Sequence, residues 1–237
     1  MSNLALKEEE QTRSNIILID RRTPERVNLG TLTSRGIPKA QRVDPITSLE
    51  DIERIKVHLL NSDTTYKYRN YALFCIGISV GLRISDLRRL RVCDLCNLDG
   101  TFKERIFIKE KKTSKINYPY INNSVKEAME IYMNNVKLEY NDYLFPSRKG
   151  DEPINEGSIH KILKQIQRDL KLPYNIGTHS LRKTFAYWVI HNNKDNPMVL
   201  MALQEMLNHS DQRVTFRYAG ITQEENDEIY ESIGDLF

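Results

Sequence analysis

From residue 46 onward, hydrophobic residues recur at the three- and four-residue spacing of amphipathic helices. Thr47 and Glu50 form a capping box, which predicts that the first helix begins there. The apolar stripe of this helix consists of Ile52, Ile55, Val57, Leu59 and Leu60. Residues 1–45 are polar, mixed in charge and interrupted by glycine and proline, so they are interpreted as an N-terminal arm or extension.

Helical patterns continue over much of the remaining chain. The most apolar run, YRNYALFCIGISVG, predicts a buried helix that ends at Gly81. Ser124 and Glu127 form a second capping box at the start of NSVKEAMEIYMNNV. Three more helices are predicted in NEGSIHKILKQIQRDL, THSLRKTFAYWVIHN and NPMVLMALQEMLNH.

One segment has a different pattern. Two short strands around a polar turn from Lys112 to Lys115 are predicted in RIFIKEKKTSKINYPYI. Pro119 lacks a backbone N–H and therefore places the second strand at a sheet edge. The predicted fold class is α+β, a mostly helical domain over residues 46–237 that carries a small antiparallel sheet.

Composition narrows the class of protein. The chain has 237 residues, of which 40% are hydrophobic and 28% charged, as is typical of a globular protein. It shows no apolar stretch long enough to span a membrane and no signal-peptide pattern. The cysteines are Cys75, Cys93 and Cys96, an odd set that is consistent with reduced thiols. A cytoplasmic protein without a structural zinc is therefore expected, because a zinc site needs four ligands.

The distribution of charge along the chain is more informative about binding partners than the net charge of +3. Basic residues cluster in three segments, Arg83 to Arg91, Lys109 to Lys115 and Lys161 to Lys171, whereas Ala219–Phe237 contains six acids and no lysine or arginine. A basic body with an acidic tail suits a polyanionic partner such as nucleic acid.

The residues that could carry chemistry stand in separate motifs. His179 and Arg182 are three positions apart, so a helix places them on one face. Arg83 follows Gly81 closely, and His209 precedes Tyr218 by nine positions. With a lysine at the hairpin tip, this set fits attack on a phosphodiester.

Each residue type has a part in such a reaction. Two guanidinium groups can bind the non-bridging oxygens of the phosphate and stabilise the charge that develops there. A lysine can protonate the leaving 5′ oxygen, and a histidine can help to deprotonate a phenol whose ordinary pKa is near ~10. The arginines do the electrostatic work of a metal ion, so neither a metal nor a cofactor is predicted.

Four motifs together identify a family resemblance. GLRISDLRRL, KKTSK…YPY, HSLRKTFAYW and LNHSD…TFRYAG occur in the order and approximate spacing of the tyrosine recombinase (phage integrase) family. The resemblance covers residues 46–237, which corresponds to the family's catalytic domain. Residues 1–45 are too few for the helical core-binding domain that usually precedes it.

The resemblance implies a role for each motif residue. Arg83 is similar to the first catalytic arginine, and Asp86 to the acid that supports it. His179 and Arg182 resemble the H-x-x-R pair of the family. The two remaining assignments are His209 as the later histidine and Tyr218 as the nucleophile.

The resemblance also leaves two departures. Asn208 stands where a glycine commonly precedes the later histidine. The KTSK turn favours Lys112 as the family lysine, whereas counting eight residues back from Pro119 favours Lys111; we take Lys112 as the catalytic one. Further DNA contacts are expected from Arg88, Lys111, Lys115 and Lys183.

By this resemblance the protein is a site-specific DNA recombinase that makes a 3′-phosphotyrosyl intermediate during integration, excision or inversion of a mobile element. It is expected to act on double-stranded DNA as a homo-oligomer, a dimer on one site and a tetramer on paired sites. Two alternatives remain open. One is strand relaxation like that of a type IB topoisomerase, and the other is a non-catalytic DNA-binding regulator on the same fold.

The acidic tail carries its own prediction. Thr222 and Glu225 form a capping box, which predicts a helix over residues 222–237. Its apolar positions are Ile229, Ile233, Leu236 and Phe237. A short helix of this kind needs a surface to dock on. In similar recombinases that surface belongs to a neighbouring protomer, so docking in trans is expected.

Overall fold

Eight helices and one two-stranded sheet form within residues 43–209, which with Glu231 are the residues that this computed structural model describes. In chain order they are α1 (Leu49–Asn61), α2 (Lys67–Val80), α3 (Ile84–Leu87), α4 (Val92–Leu95), β1 (Ile108–Lys109), β2 (Ile116–Asn117), α5 (Asn123–Asn135), α6 (Glu156–Asp169), α7 (Thr178–His191) and α8 (Val199–Met206). The predicted fold class is confirmed. The predictions for residues 1–42, for Tyr218 and for the tail 222–237 lie outside the described residues.

Helix α2 lies at the centre of the core. After its first turn its sequence is apolar on every side, and most of its side chains are buried. It packs against α1, α5 and α7, so a helix without a polar face has neighbours on several sides. Among the helices of the described residues, none has the combined length and apolarity that a membrane crossing requires.

The start of α1 differs from the prediction by one residue. The cap is Ser48, whose hydroxyl accepts the backbone N–H of Asp51 at 3.2 Å, and not Thr47. Ser48 has the extended backbone that an N-cap requires. The predicted apolar stripe was also too wide, because Val57 is 56% exposed. The buried positions are Ile52, Ile55 and Leu59.

The start of α5 was likewise misplaced. Its cap is Asn122, whose side-chain oxygen accepts the backbone N–H of Val125 at 3.0 Å, rather than Ser124. Asn122 is extended and Ser124 is already helical, so the pairing of Ser124 with Glu127 does not begin the helix.

The two strands form the predicted antiparallel hairpin, called the lysine hairpin below (residues 108–117). The register pairs Ile108 with Asn117 and Lys109 with Ile116. Glu110 closes the turn, since its N–H donates to the carbonyl of Lys115 at 2.9 Å and its carbonyl accepts from Ser114 at 2.9 Å. Ser114 adopts a φ of 56°, which turns the chain back within few residues.

Helix α7 joins the main core to α8. Ala186, Leu203 and Leu207 form a small second apolar cluster between the two helices. On its other side, the indole N–H of Trp188 donates to the carbonyl of Ile46 at 3.1 Å. These contacts fix α7 on both sides, and with it the positions of His179 and Arg182 at its start.

Candidate active site

Arg182 is buried, at 2% exposure, although arginine is usually found at the protein surface. One terminal nitrogen donates to the carbonyl of Gly81 at 2.8 Å, and the other donates to the carbonyl of Leu207 at 2.6 Å. The second nitrogen also lies 3.2 Å from Nε2 of His209. The guanidinium therefore joins the ends of α2 and α8 to α7, and it orients His209 within the same site.

Gly81 is required at the end of α2 for two reasons. It adopts a φ of 63°, the left-handed conformation that ends many helices. A Cβ at this position would lie 2.3 Å from the ring of Phe185, so α7 can approach only because the side chain is missing. The close approach brings Arg182 to the carbonyl of Gly81 and turns the chain toward Arg83.

Arg83 is held by a carboxylate that the sequence interpretation missed. Its NH1 forms an ion pair with Oε2 of Glu110, whose side chain is 0% exposed. The same oxygen accepts the hydroxyl of Thr113 at 2.6 Å, and Oε1 accepts Nδ2 of Asn117 at 3.2 Å. Burial alone would raise the pKa of Glu110, but the Thr113 hydroxyl and the charge of Arg83 outweigh it, and the pKa is lowered.

A signal for Glu110 was present in the sequence. Alternation along the strand puts Ile106, Ile108 and Glu110 on one face, and Ile106 is fully buried. A carboxylate on the inward face of a strand needs a cation, because an unpaired buried charge is strongly unfavourable. Strand alternation thus pointed to Glu110, but only the tertiary structure shows that the cation is Arg83.

Asp86 contacts the lysine hairpin. Its Oδ1 accepts the backbone N–H of Lys111 at 2.9 Å, and within the described residues Oδ2 has no hydrogen-bond partner. The resemblance gives Asp86 a supporting role toward Arg83, while the carboxylate that contacts Arg83 directly is that of Glu110. Asp86 anchors the lysine hairpin to the short helix that follows Arg83.

His209 is positioned by the way in which α8 ends. The N–H of His209 donates to the carbonyl of Gln204 at 3.0 Å and that of Asn208 to Glu205 at 2.9 Å, which is the pattern of a Schellman motif. Asn208 has the required left-handed φ, 50°. Asparagine tolerates this conformation better than most residues, so the departure from glycine keeps the turn.

The ring of His209 is neutral near pH 7. Burial, with the nearby charges of Arg182 and Arg83, lowers its pKa to about 4. Because a guanidinium only donates hydrogen bonds, Nε2 accepts from Arg182 and the ring proton is assigned to Nδ1. His209 can therefore donate a hydrogen bond from Nδ1 without carrying a charge.

His179 lies at the exposed start of α7. Partial desolvation and the positive charges of Arg182 and Lys183 lower its pKa. The positive charge of Lys112 adds to this lowering of the pKa. A neutral histidine at this position can accept a proton.

The remaining predicted lysines have distinct environments. Lys111 and Lys112 are exposed in the turn, and Lys115, also exposed, lines a shallow depression together with His209. Lys183 donates from its ammonium to the carbonyl of Val43 at 2.6 Å, so it ties α7 to the segment before α1.

Arg88 lines a cleft of about 880 Å³ that the sequence interpretation also missed. We call it the basic cleft, defined by Arg69, Arg88, Arg148, Lys149 and Lys161; Glu152 is the acid in its lining. Arg69 is 6% exposed, and its hydrogen-bond partners, Asn70 and the carbonyl of Pro146, are both neutral. The turn SRKG contributes two of the five cations.

The motifs and the fold agree with a family model. Residues 47–225 match the model described as "Phage integrase family". The chain belongs to this family. It is 38% identical over 194 residues to "Probable integrase/recombinase YoeC" of Bacillus subtilis (strain 168), covering 82% of this chain and 98% of that protein. It is 29% identical over 203 residues to "Tyrosine recombinase XerD" of Halalkalibacterium halodurans, covering 82% of this chain and 63% of XerD.

Solved structures of recombinases share the fold of this phage integrase family member. The XerA recombinase superposes with a TM-score of 0.61 at 21% identity, covering 81% of this chain and 66% of that one. The Tn1549 transposon integrase in complex with transposon right end DNA superposes with a TM-score of 0.61 at 21% identity. The match covers 86% of this chain and 69% of the integrase chain. At such identities the likeness shows the fold alone. The chain spans less than two thirds of the length of XerD and XerA.

Proposed function

We propose that this protein is a site-specific DNA recombinase that cleaves and rejoins DNA through a 3′-phosphotyrosyl intermediate on Tyr218. The observation that carries the proposal is the geometry around Arg182. Its guanidinium contacts His209, and Arg83 lies close enough to lower the pKa of the same histidine. Two arginines and a neutral histidine in one site suit a phosphodiester whose negative charge increases during the reaction.

In the proposed cleavage step, the phenolic oxygen of Tyr218 attacks the scissile phosphorus and the bond to the 5′ oxygen breaks. His179, neutral in the free protein, accepts the phenol proton. Lys112 donates a proton to the departing 5′ oxygen. Arg83 and Arg182 bind the non-bridging oxygens, and Nδ1 of His209 donates to one of them. We assign this role to Lys112 rather than Lys111 because the KTSK turn favours it.

Strand exchange then reverses these steps with a different alcohol. The 5′ hydroxyl of a partner strand attacks the phosphotyrosine, and Tyr218 leaves with a proton returned to its oxygen. One phosphodiester is exchanged for another, so the proposed reaction consumes no nucleotide cofactor. A type IB topoisomerase would rejoin the original strand, and a non-catalytic regulator would form no covalent link.

The DNA path proposed here runs along the basic cleft and past Lys115. Phosphates are bound largely through lysine and arginine, and a concave row of cations binds them without reading sequence. Arg88 and Lys111 remain proposed contacts. Lys183 contributes its charge from a position fixed by Val43. The proposed cytoplasmic location is consistent with the proposed action on cellular DNA.

The proposed assembly is a dimer on one site and a tetramer on paired sites, with the tail 222–237 of one protomer docking on the next. A groove of about 600 Å³ between the end of β2 and helices α7 and α8 supports this proposal. Tyr118 and Met206 in its lining are 50% and 49% exposed. The apolar positions of the tail, Ile229 to Phe237, match such a groove in chemistry.

A covalent trap tests the proposed function. The protein is incubated with a library of nicked duplexes, in which the released strand end diffuses away, and DNA linked to protein is recovered after denaturation. We expect an adduct that Tyr218→Phe abolishes while DNA binding is retained. Tyr230→Phe, which alters the next tyrosine along the chain, is the matched control. Exchange between two recovered sites then separates a recombinase from a topoisomerase.

A further inference from the structure

Glu110 lies where three segments of the site meet. Its carboxylate binds Arg83, the residue directly before helix α3. Its backbone N–H and carbonyl close the turn of the lysine hairpin. Asn117 bonds Glu110 and also donates to the carbonyl of Met206 at 3.1 Å, at the end of α8. The side-chain amide of Asn208, next to His209, donates to the carbonyl of Ile116 in the same hairpin at 3.4 Å. One buried carboxylate thus contacts the surroundings of Arg83, of the hairpin lysines and of His209.

The contacts between Arg83 and the hairpin run in both directions. Glu110 reaches from the hairpin to Arg83, and Asp86 reaches from the Arg83 segment to the N–H of Lys111. Both residues, Glu110 and Asp86, are buried, at 1% exposure each. Two charge-assisted contacts of opposite direction fix the hairpin relative to Arg83 more firmly than either contact alone.

The contact with Glu110 still leaves Arg83 able to bind a phosphate. A guanidinium has five N–H donors, and the ion pair with Glu110 is made by NH1. The side chain of Arg83 is 18% exposed, so part of it faces solvent while the other part is held. An arginine fixed in this way loses little side-chain entropy when the phosphate arrives, which favours binding of the transition state.

From these contacts we infer that Glu110 is a positioning residue, which orients Arg83 and couples the lysine hairpin and the His209 segment to it. The inference rests on the proposed function, since it assigns the purpose of the orientation to phosphodiester cleavage. Glu110 itself does not touch the DNA. Its carboxylate acts through Arg83 and Asn117.

The test compares Glu110→Gln with the wild type in single-turnover adduct formation. Glutamine has the same shape, but an NH2 group replaces one acceptor oxygen. This NH2 group would face a donor of either Arg83 or Asn117 and could not accept its hydrogen bond. We expect adduct formation to slow by about 10- to 100-fold, as for other groups that orient a ligating side chain, with DNA affinity little changed. Glu104→Gln, an exposed glutamate just before the hairpin, is the matched control and should cleave normally.

A double mutant distinguishes a role of Glu110 in positioning Arg83 from a role in the stability of the fold. If Glu110 acts through Arg83, then Glu110→Gln has no further effect on the rate in an Arg83→Ala background. A wild-type rate in Glu110→Gln, or full additivity in the double mutant, would overturn the inference. Thr113→Val covers the case in which Glu110→Gln does not fold, because it removes only one donor to the carboxylate. A roughly fivefold slower rate is expected there, the equivalent of one hydrogen bond.

Amide hydrogen exchange supplies a measurement that does not depend on cleavage. In Glu110→Gln, or in Thr113→Val, residues 108–117 and 206–209 should exchange faster, whereas α5 should be unchanged. If the wild type forms no adduct on any duplex, the proposed function fails, and exchange alone then decides the coupling. Unchanged exchange at both segments would overturn the inference in either case.

Discussion

Two regions of the site are built in opposite ways. Arg182 is buried and bonds two backbone carbonyls from different helices, so its guanidinium is part of the core. Lys111 and Lys112 stand exposed at the tip of a hairpin that has only two residues in each strand. The groups proposed to bind charge are thus fixed before DNA arrives, whereas the proposed proton donor extends from a small surface element.

The difference follows from what each role needs. Stabilising a developing charge requires donors that are already oriented, since reorientation during the reaction would cost free energy. A general acid needs only to reach the leaving oxygen with a suitable pKa, and a long lysine side chain on a turn can do so. Glu110 and Asp86 connect the two regions, because they fix the base of the hairpin and leave its tip exposed.

The largest effect is expected from Arg182→Ala. The substitution removes a proposed donor to the phosphate and leaves the carbonyls of Gly81 and Leu207 without the guanidinium. We expect adduct formation to fall by roughly 10²- to 10³-fold and the free energy of unfolding to fall by about 3 kcal/mol. Single-turnover cleavage and urea unfolding measure the two effects. Arg54→Ala, at a half-exposed surface arginine, is the control and should change neither the cleavage rate nor the free energy of unfolding by much. Normal stability of Arg182→Ala would show that the buried guanidinium does not stabilise the fold.

Lys112→Ala should sharpen the comparison, because it lowers the rate without affecting the fold. We expect cleavage to slow by about 10²-fold or more, while the free energy of unfolding changes by less than about 0.5 kcal/mol. A substrate with sulfur at the 5′ bridging position should restore the rate, since its leaving group needs no proton. Rescue of Lys111→Ala instead of Lys112→Ala would transfer the role to Lys111.

Gly81→Ala tests how tightly the arginine side is packed. The new methyl group would meet the ring of Phe185 and occupy a left-handed backbone position. We expect the free energy of unfolding to fall by about 2–4 kcal/mol, with slower cleavage because α7 must shift. Gly100→Ala is the control, since Gly100 also has a positive φ but has nothing within 4 Å of the added carbon. Equal losses in both variants would show that backbone conformation alone is responsible.

The pKa of His209 predicts how stability depends on pH. Its folded value of about 4 lies below the ordinary value of 6.5, so the unfolded chain binds the proton more readily. The stabilising contribution of the neutral ring is complete above pH 6.5 and is lost as the pH falls toward 4. Urea unfolding at pH 7, 6 and 5 should therefore show a steeper decline in the wild type than in His209→Asn. Parallel declines would mean that His209 titrates normally.

The smallest effect is expected from Lys149→Ala in the basic cleft. Loss of one phosphate contact should weaken DNA binding for every sequence and reduce the slope of log affinity against log salt by about 1. Lys137→Ala is the control, because the Lys137 side chain is 90% exposed and lies elsewhere on the surface. Binding titrations at several salt concentrations measure the slope, and identical slopes for both variants would remove Lys149 from the DNA path.

Much of this protein followed from local sequence patterns. Helix periodicity gave the helices of the core, and strand alternation around a polar turn gave the lysine hairpin. Spacing on one helix placed His179 and Arg182 together at the start of α7. Caps were less predictable: Ser48 and Asn122 took the places expected for Thr47 and Ser124, because neighbouring polar side chains compete for the same backbone N–H groups.

The sequence by itself determined the periodicities, the turn and the residue types of the site, since each of these depends on near neighbours along the chain. Only the tertiary structure decided which charges meet. Glu110 pairs with Arg83 across 27 positions, and Arg182 binds the carbonyl of Gly81 across 101. Such pairs depend on the packing of α2 against α7 and on the hairpin register. A buried charge takes whichever partner that packing brings within reach, and nothing local to Arg83 distinguishes Glu110 from the nearer Asp86.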